Sequence, residues 1–533
     1  MTVFLHDLLT SAATKYADKP ALTLKSSTLT YHQLKQLTNA TARAFTSINI
    51  SRNDRIGIYL GKSFENVACM LATSMVGGAF VPINATLKAA QVSHIINDCA
   101  VRVLVTNRAR LEQLLSSQTH NDSLEHVILV DDFEPAAFIN TQFKLHSWPT
   151  WLVSAEDTRI ADCVGTSNNM AAILYTSGST GAPKGVVLSH ANLILGAQSV
   201  TTYLENSTAD VILALLPFSF DYGLNQLISA IYVGAHCVLL DYLLPRDIVR
   251  TISKHQVTGV AAVPPLWQQF IQLSVDNEAL ASVRYFTNSG GALAVDTLHQ
   301  LQEMMPNAHP YLMYGLTEAF RSTYLPPEQV TKRPTSMGKA IPNAEILILR
   351  PDGSPCEVNE VGELVHCGPL VSLGYWNNPE ATAKRFKPAP NRLNEISCQS
   401  LAVWSGDSAK YDEDGYLYFV SRNDEMIKSS GYRISPTEIE QCLYALDAIN
   451  GVVAFGVPDE AIGHAVCVVI EQKAQCDSSL VEHQVIAHCK THLPNYMVPQ
   501  YCYVTDKLPV NANGKIDRTT VKIQYEQLCR SAQ

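Results

Sequence analysis

No CxxC pair occurs among the 13 cysteines, and the two closest, Cys467 and Cys476, leave a zinc ribbon or a redox dithiol without support. The set is odd in number and scattered, which reads as free thiols packed in a reducing compartment. Long hydrophobic runs are missing too. The most apolar stretch, Ala68 to Ile83, is broken by Thr73, Ser74, Gly77 and Gly78 and is too short to span a bilayer. The segment up to Pro20 carries His6 and Asp7 and has no basic stretch leading into an apolar one, so no signal peptide is expected. There is no basic tract either. Lys plus Arg total 39 against 49 Asp plus Glu, a net charge of −10, which argues against sequence-independent nucleic-acid binding. A cytoplasmic protein with no membrane span and no nucleic-acid partner is expected.

What is present is a globular composition: 47% hydrophobic and 17% charged over 533 residues, enough for roughly three to four units of ~150 residues. Thr30 and Gln33 form a capping box ahead of the amphipathic run Tyr31, Leu34, Leu37. Short apolar strands are expected at Ile56 to Leu60, Ala79 to Ile83, Val101 to Thr106 and Val127 to Asp131, with a helix over Phe64 to Met75. A second series is expected at Val211 to Pro217, His236 to Asp241, Gly259 to Pro264 and Arg284 to Ser289. Such alternation predicts α/β layering with largely parallel sheets. Beyond about residue 340 the expected strands are Glu345 to Arg350, Glu363 to Cys367 and Tyr416 to Val420. Turns fall at Asp352-Gly353 and Asp414-Gly415.

The most specific stretch is Tyr175-Thr-Ser-Gly-Ser-Thr-Gly-Ala-Pro-Lys-Gly185, directly after the apolar strand Met170 to Leu174. A loop of Thr, Ser and Gly lets backbone N–H groups and hydroxyls converge on phosphate oxygens, and Lys184 adds a point charge. It is not a Walker loop, because Gly185 stands where Ser or Thr would follow the lysine.

This stretch resembles the phosphate loop of the adenylate-forming superfamily, which includes acyl-CoA ligases, peptide-synthetase adenylation domains and beetle luciferases. The other signatures occur in order: Ser289-Gly-Gly-Ala292, Tyr314-Gly-Leu-Thr-Glu318, Trp404-Ser-Gly-Asp407, Ser421-Arg-Asn-Asp424, Ile427-Lys-Ser-Ser-Gly-Tyr-Arg433 and Asn513-Gly-Lys515. The finer texture resembles AMP-forming ligases found beside exosortase systems. The implied fold is α/β: a large N-terminal domain of α/β subdomains plus a small β-barrel (1–423), and a small mobile α+β C-terminal domain (424–533) hinged at Asp424.

The resemblance also implies roles. Thr176, Ser177, Gly178, Ser179, Thr180, Gly181 and Lys184 would take the phosphates of ATP. Gly290, Gly291 and Ala292, which lack bulk, would pack on adenine, and Tyr314 with Gly315 would offer it an aromatic face. Asp407 would take the ribose hydroxyls, and Thr317 would contact the α-phosphate. Glu318, with Thr176, would hold Mg²⁺, which favours hard oxygen ligands. Attack of a carboxylate on a phosphate brings two anions together and calls for cations, for which Arg422 and Lys515 are the candidates. Lys428 and Gly431 would serve a second half-reaction, when the rotated C-terminal domain opens a thiol tunnel. Asp424 and Gly431 also read as plain turn formers.

One departure concerns the acid. Pro217-Phe-Ser-Phe-Asp-Tyr-Gly223 lacks the histidine of many acyl-CoA ligases, and Phe220-Asp221 resembles the pair with which amino-acid-activating domains meet an α-ammonium. Tyr222, Trp267 and Arg321 complete the expected pocket, although a core aromatic and a structural arginine describe the last two equally well. The reaction implied is AMP-forming acid–thiol ligation, using ATP and Mg²⁺, with a small carboxylic acid as substrate. Few residues follow Lys515, so free CoA or the phosphopantetheine of a separate carrier protein is the expected acceptor. The alternatives are a stand-alone amino-acid adenylation enzyme and a catalytically dead nucleotide-binding regulator.

Overall fold

The computed structural model describes every residue except 1–2, 117–121, 132–141, 161–162, 177–182, 294, 391–394, 396–399, 423–425, 447, 473–477, 510–517 and 532–533. Two large sheets form the body. The nine-stranded sheet runs Lys339–Ala340, Thr323–Leu325, His309–Tyr314, Tyr285–Asn288, Gly259–Ala262, Val211–Ala214, His236–Leu239, Pro20–Leu24, Ser27–Thr30. Its central pairings are parallel, and antiparallel strands close both edges. The seven-stranded sheet runs Lys144–Ser147, His126–Leu129, Val101–Thr106, Arg55–Tyr59, Ala79–Pro82, Met170–Thr176, Lys184–Ser189, and only its last pairing is antiparallel.

The apolar runs form the strands they predict because each is buried on both faces. Val101, Val103, Leu104 and Val105 are wholly inaccessible, as parallel strands sandwiched between helices require. The helix Phe64–Met75 starts where Ser63 caps it, its hydroxyl accepting from Asn66 N. Helix Tyr31–Ser47 opens on the Thr30–Gln33 capping box. One core packs helices Leu5–Lys15, Tyr31–Ser47 and Phe64–Met75 between the two sheets.

The stretch expected as a small barrel is a five-stranded antiparallel sheet of Glu345–Leu349, Gly362–Cys367, Leu401–Tyr411, Phe386–Pro388 and Leu417–Arg422. The turns at Gly353 and Gly415 have φ of +84° and +79°, a region open to glycine at no steric cost. From Ile427 onward a further five-stranded sheet (Tyr432–Ile434, Ile427–Ser429, Gly463–Gln472, Ile449–Asp459, Tyr501–Thr505) has its own core, drawn from residues after Met426. It packs with helices Pro436–Leu443, Ser478–His492 and Arg518–Ser531.

Candidate active site

In parallel sheets, ligands collect beyond the carboxyl ends of the strands, and the sequence signatures gather there. Strand Tyr285–Asn288 delivers Gly290 and Gly291, strand His309–Tyr314 delivers Tyr314 to Glu318, and strand Val211–Ala214 leads to Phe220 and Asp221. Gly290 has φ +82°, with Phe220 Cζ 3.7 Å from the position a Cβ would take. Ala292 is exposed beside them.

Glu318 and Thr317 are buried in the short 3₁₀ turn Thr317–Ala319. The Tyr375 hydroxyl donates to Glu318 Oε1 at 2.6 Å, and Glu318 Oε2 is buried with no hydrogen-bond partner. Such an orphaned carboxylate oxygen costs roughly 1–3 kcal/mol, so the donor chemistry here fits a divalent cation that prefers oxygen ligands. Lys184 Nζ lies 5.7 Å from the Tyr375 ring centroid. The Tyr314 hydroxyl donates to Asp407 Oδ2 at 2.6 Å, and Asp407 is itself buried. Gly315 leaves room for the returning backbone, since a Cβ there would sit 3.3 Å from Arg321 Cα.

The phosphate-type loop spans a hairpin. Thr176 and Lys184 are register partners on antiparallel strands, so both ends of the loop are pinned to one sheet. Segment 373–376 clamps the second strand, with Val187 N donating to Gly374 O and Trp376 N to Gly185 O. Tyr375 belongs to this clamp. It escapes sequence reading, its only signal being an aromatic pair after Gly374.

Asp221 opens helix Asp221–Val233 and is buried, 3.7 Å from Arg321 Nη1, while Arg321 Nη2 reaches Asp221 O at 3.5 Å. Burial pushes the Asp221 carboxyl above its usual range, and the Arg321 guanidinium pulls it back. The guanidinium also stacks 4.5 Å from the Tyr222 ring centroid. Trp267 behaves as core instead of pocket wall: it is 1% exposed, edge-on to Phe270 and Phe286, with Nε1 donating to Thr287 O. His366 lies behind the site, its Nδ1 3.0 Å from Ser322 Oγ, and burial lowers its pKa to about 3.

The C-terminal sheet brings its hairpin against this centre. Gly431 has φ +80°, and a Cβ there would stand 2.8 Å from Val263 Cγ2; its carbonyl oxygen is 3.9 Å from the Cβ position of Gly290. Lys428 Nζ sits 4.3 Å from the Phe419 ring centroid. A second contact is polar: Gln91 Nε2 donates to Glu438 Oε1 at 2.6 Å. Burial there pushes the Glu438 carboxyl up to about 7. The backbone of Arg422 pairs with that of Asp407. Ser177, Gly178, Ser179, Thr180, Gly181, Asp424 and Lys515 lie outside the described residues.

Comparison with known proteins matches residues 9–376 to the AMP-binding enzyme family and 438–515 to the AMP-binding enzyme C-terminal domain. Among curated relatives, syringomycin synthase SyrB1 of Pseudomonas syringae pv. syringae is 27% identical over 97% of this chain and 81% of its own length. Bacitracin synthase 3 of Bacillus licheniformis is 27% identical over 96% of this chain, which spans 8% of that protein. Among solved structures, o-succinylbenzoate CoA synthetase of Bacillus subtilis superposes with TM-score 0.81 at 24% identity, covering 97% of this chain and 98% of that one. The amide bond synthetase McbA of Marinactinospora thermotolerans does so with 0.83 at 21%, covering 98% and 99%. At these identities the structural likeness speaks to the fold, and the family match to the chemistry: this chain belongs to the AMP-binding enzymes, the adenylate-forming superfamily.

Proposed function

We propose that this enzyme joins a small carboxylic acid to a pantetheine thiol, that of CoA, in two steps. The acid first attacks the α-phosphate of ATP, giving acyl-AMP and pyrophosphate; the thiol then attacks the acyl carbon and AMP leaves. The observation that carries this reading is the buried Glu318, held by Tyr375 through one oxygen with the other unpartnered, at the strand ends that also deliver Gly290 and Tyr314, whose hydroxyl reaches Asp407.

In this reading the loop from Thr176 to Gly181, with Lys184, cradles the phosphates, and Asp407 takes the ribose. Gly290 to Ala292 and the Tyr314 face hold adenine, and Thr317 contacts the α-phosphate. Mg²⁺, when bound, supplies positive charge against the phosphate oxygens, and Glu318 with Thr176 would hold it. Arg422 and Lys515 neutralise the charge that builds as the two anions meet. Residues 424–533 act as a separate mobile domain hinged at Asp424, presenting Lys515 for the first step and the Lys428–Gly431 hairpin for the second. The packing of Gly431 on Val263 and beside Gly290 supports the second arrangement.

A second reading, a stand-alone amino-acid adenylation enzyme loading a separate carrier protein, is favoured by the similarity to syringomycin synthase and by Phe220-Asp221. Against it, Asp221 already faces Arg321. The test is acid-dependent exchange of pyrophosphate into ATP, followed by addition of CoA. Exchange plus CoA-dependent AMP release supports the ligase. Exchange confined to amino acids, with CoA inert, supports the second reading. ADP as product, or nucleotide binding without exchange, overturns both.

A further inference from the structure

Behind the Asp221–Arg321 pair lies a cavity of about 30 Å³, walled by helices His190–Tyr203 and Asp221–Val233 and by the central strands of the nine-stranded sheet. Tyr222 and Arg321 belong to its wall, and Asp221, which pairs with Arg321, lies close enough to Glu318 to feel its charge. On the scale where one buried water needs roughly 10–15 Å³, this is room for two or three heavy atoms.

Three amide side chains line it, each tied at one end and unpartnered at the other. Gln226 Nε2 donates to Leu213 O at 2.8 Å, which fixes its orientation because a carbonyl can only accept, and Oε1 is left buried without a partner. Asn206 Nδ2 donates to the Tyr285 hydroxyl at 3.1 Å, leaving Oδ1 unpartnered. Asn225 Oδ1 accepts from Ser229 Oγ at 3.2 Å, leaving Nδ2 unpartnered. Two free acceptors and one free donor are the complement of a primary carboxamide, which has two N–H donors, one carbonyl acceptor and three heavy atoms. Charge points the same way. Asp221 and Arg321 offset one another, so the wall asks for neither an ammonium nor a second carboxylate in the tail.

We infer that the acid this enzyme activates is short and ends in a neutral carboxamide, seated among Asn206, Asn225 and Gln226. This rests on the adenylation reading and names its substrate class. A hydrocarbon tail of the same shape would leave three buried polar atoms unpaired, a mismatch that polar sites reject strongly.

The test is pyrophosphate exchange with matched acids: succinamate and glutaramate, their isosteres 4-methylpentanoate and 5-methylhexanoate, and the dicarboxylates succinate and glutarate. Asparagine and glutamine add an α-amino group to the same tails. The expected result is that carboxamide tails exceed their hydrocarbon isosteres by about 10²-fold or more in kcat/KM, with or without the α-amino group. In Gln226→Met the same ratio should fall below about tenfold. Reading a ratio within each protein cancels any loss of folded enzyme. Hydrocarbon or dicarboxylate acids matching the carboxamides, or a ratio unchanged in Gln226→Met, overturns the inference and leaves adenylation standing. Silence from all of these acids also overturns the inference, and the adenylation reading is then decided separately by the acid-dependent exchange and product test above.

Discussion

The Tyr375 hydroxyl donates a 2.6 Å hydrogen bond to Oε1 of Glu318, while the other carboxylate oxygen is buried and unpartnered. Fifty-seven residues of sequence separate the two, and the clamp on the hairpin brings them together.

Glu318→Gln should lower pyrophosphate exchange by about 10²–10³, the usual loss when one charge-stabilising contact is removed. Tyr375→Phe keeps the carboxylate and loses only its orientation. It should cost about tenfold and raise the Mg²⁺ concentration needed for half-maximal exchange. Titrating Mg²⁺ against exchange in both variants checks this; an unchanged Mg²⁺ dependence in Glu318→Gln would remove Glu318 from the metal site.

The two lysines should separate the half-reactions. Lys515→Ala should nearly abolish acyl-AMP formation yet still pass acyl from supplied acyl-AMP to thiol, whereas Lys428→Ala should chiefly slow the thiol step. Rapid-quench measurement of each step decides the matter, and equal damage to both by Lys515→Ala would sink the alternation. Asp424→Pro, which fixes φ near about −65°, should spare one half-reaction and depress turnover.

Gly431→Ala places a Cβ 2.8 Å from Val263 Cγ2 at a φ of +80°, so it meets both a clash and a strained backbone. The thiol step should slow at least tenfold while pyrophosphate exchange is kept. Val263→Ala in the same chain should restore part of the loss by removing the clash. A thiol step untouched by Gly431→Ala would show that this packing is not used.

Arg321→Met leaves the Asp221 carboxyl buried without its cation. It should destabilise the protein by about 3–5 kcal/mol, and Asp221→Asn in the same chain should recover much of that. Denaturant unfolding of the four-member cycle reads the coupling. Additive single effects would mean the 3.7 Å pair contributes nothing.

Acid should loosen the fold through its buried histidines. The His366 pKa is lowered to about 3, and those of His190 and His236 to about 4. Between the ordinary value near 6.5 and these lowered values, the unfolded chain binds protons that the native one refuses. Unfolding free energy should therefore fall as the pH drops through that window, with His366 alone contributing about 1.4 kcal/mol per pH unit. His366→Gln should flatten the slope by that amount between pH 4 and 6; an identical slope would mean His366 protonates in place.

The legibility of this chain follows the range of the interactions. The Thr30 cap was readable because both partners sit within three residues. Strand Val101–Thr106 and helix Phe64–Met75 were readable because burial leaves each mostly apolar, interrupted in the strand interior only by Arg102 and in the helix by Glu65, Asn66, Thr73 and Ser74. Strand Lys184–Ser189 was not, since Gly185 closes the loop motif and the next residues match a buried helix equally well. Pairings across long separations left no local trace: Arg321 meets Asp221, and Tyr375 meets Glu318, through folding alone. The amides of the cavity were hidden for another reason. Asn225 and Gln226 stand in a helix that, beyond Asp221 and Tyr222 at its start, reads mostly as core.

The placement of Leu22 beside Cys237 in the nine-stranded sheet has a consequence for how the protein is made. Strand Pro20–Leu24 leaves the ribosome long before its neighbour His236–Leu239 exists. At about 5–20 residues per second it waits roughly 10–40 s without the edge it will occupy. Strand Ser27–Thr30, which pairs with it, and helix Tyr31–Ser47, which packs on it, can shelter it in the meantime, whereas the Tyr31 hydroxyl must itself wait for Ala230 O and Ala235 O. Removing the residues before Tyr31 would leave strand His236–Leu239 as a bare apolar edge, open to pairing with another chain. Nascent chains stalled short of residue 239 are accordingly the stage of synthesis most in need of a chaperone.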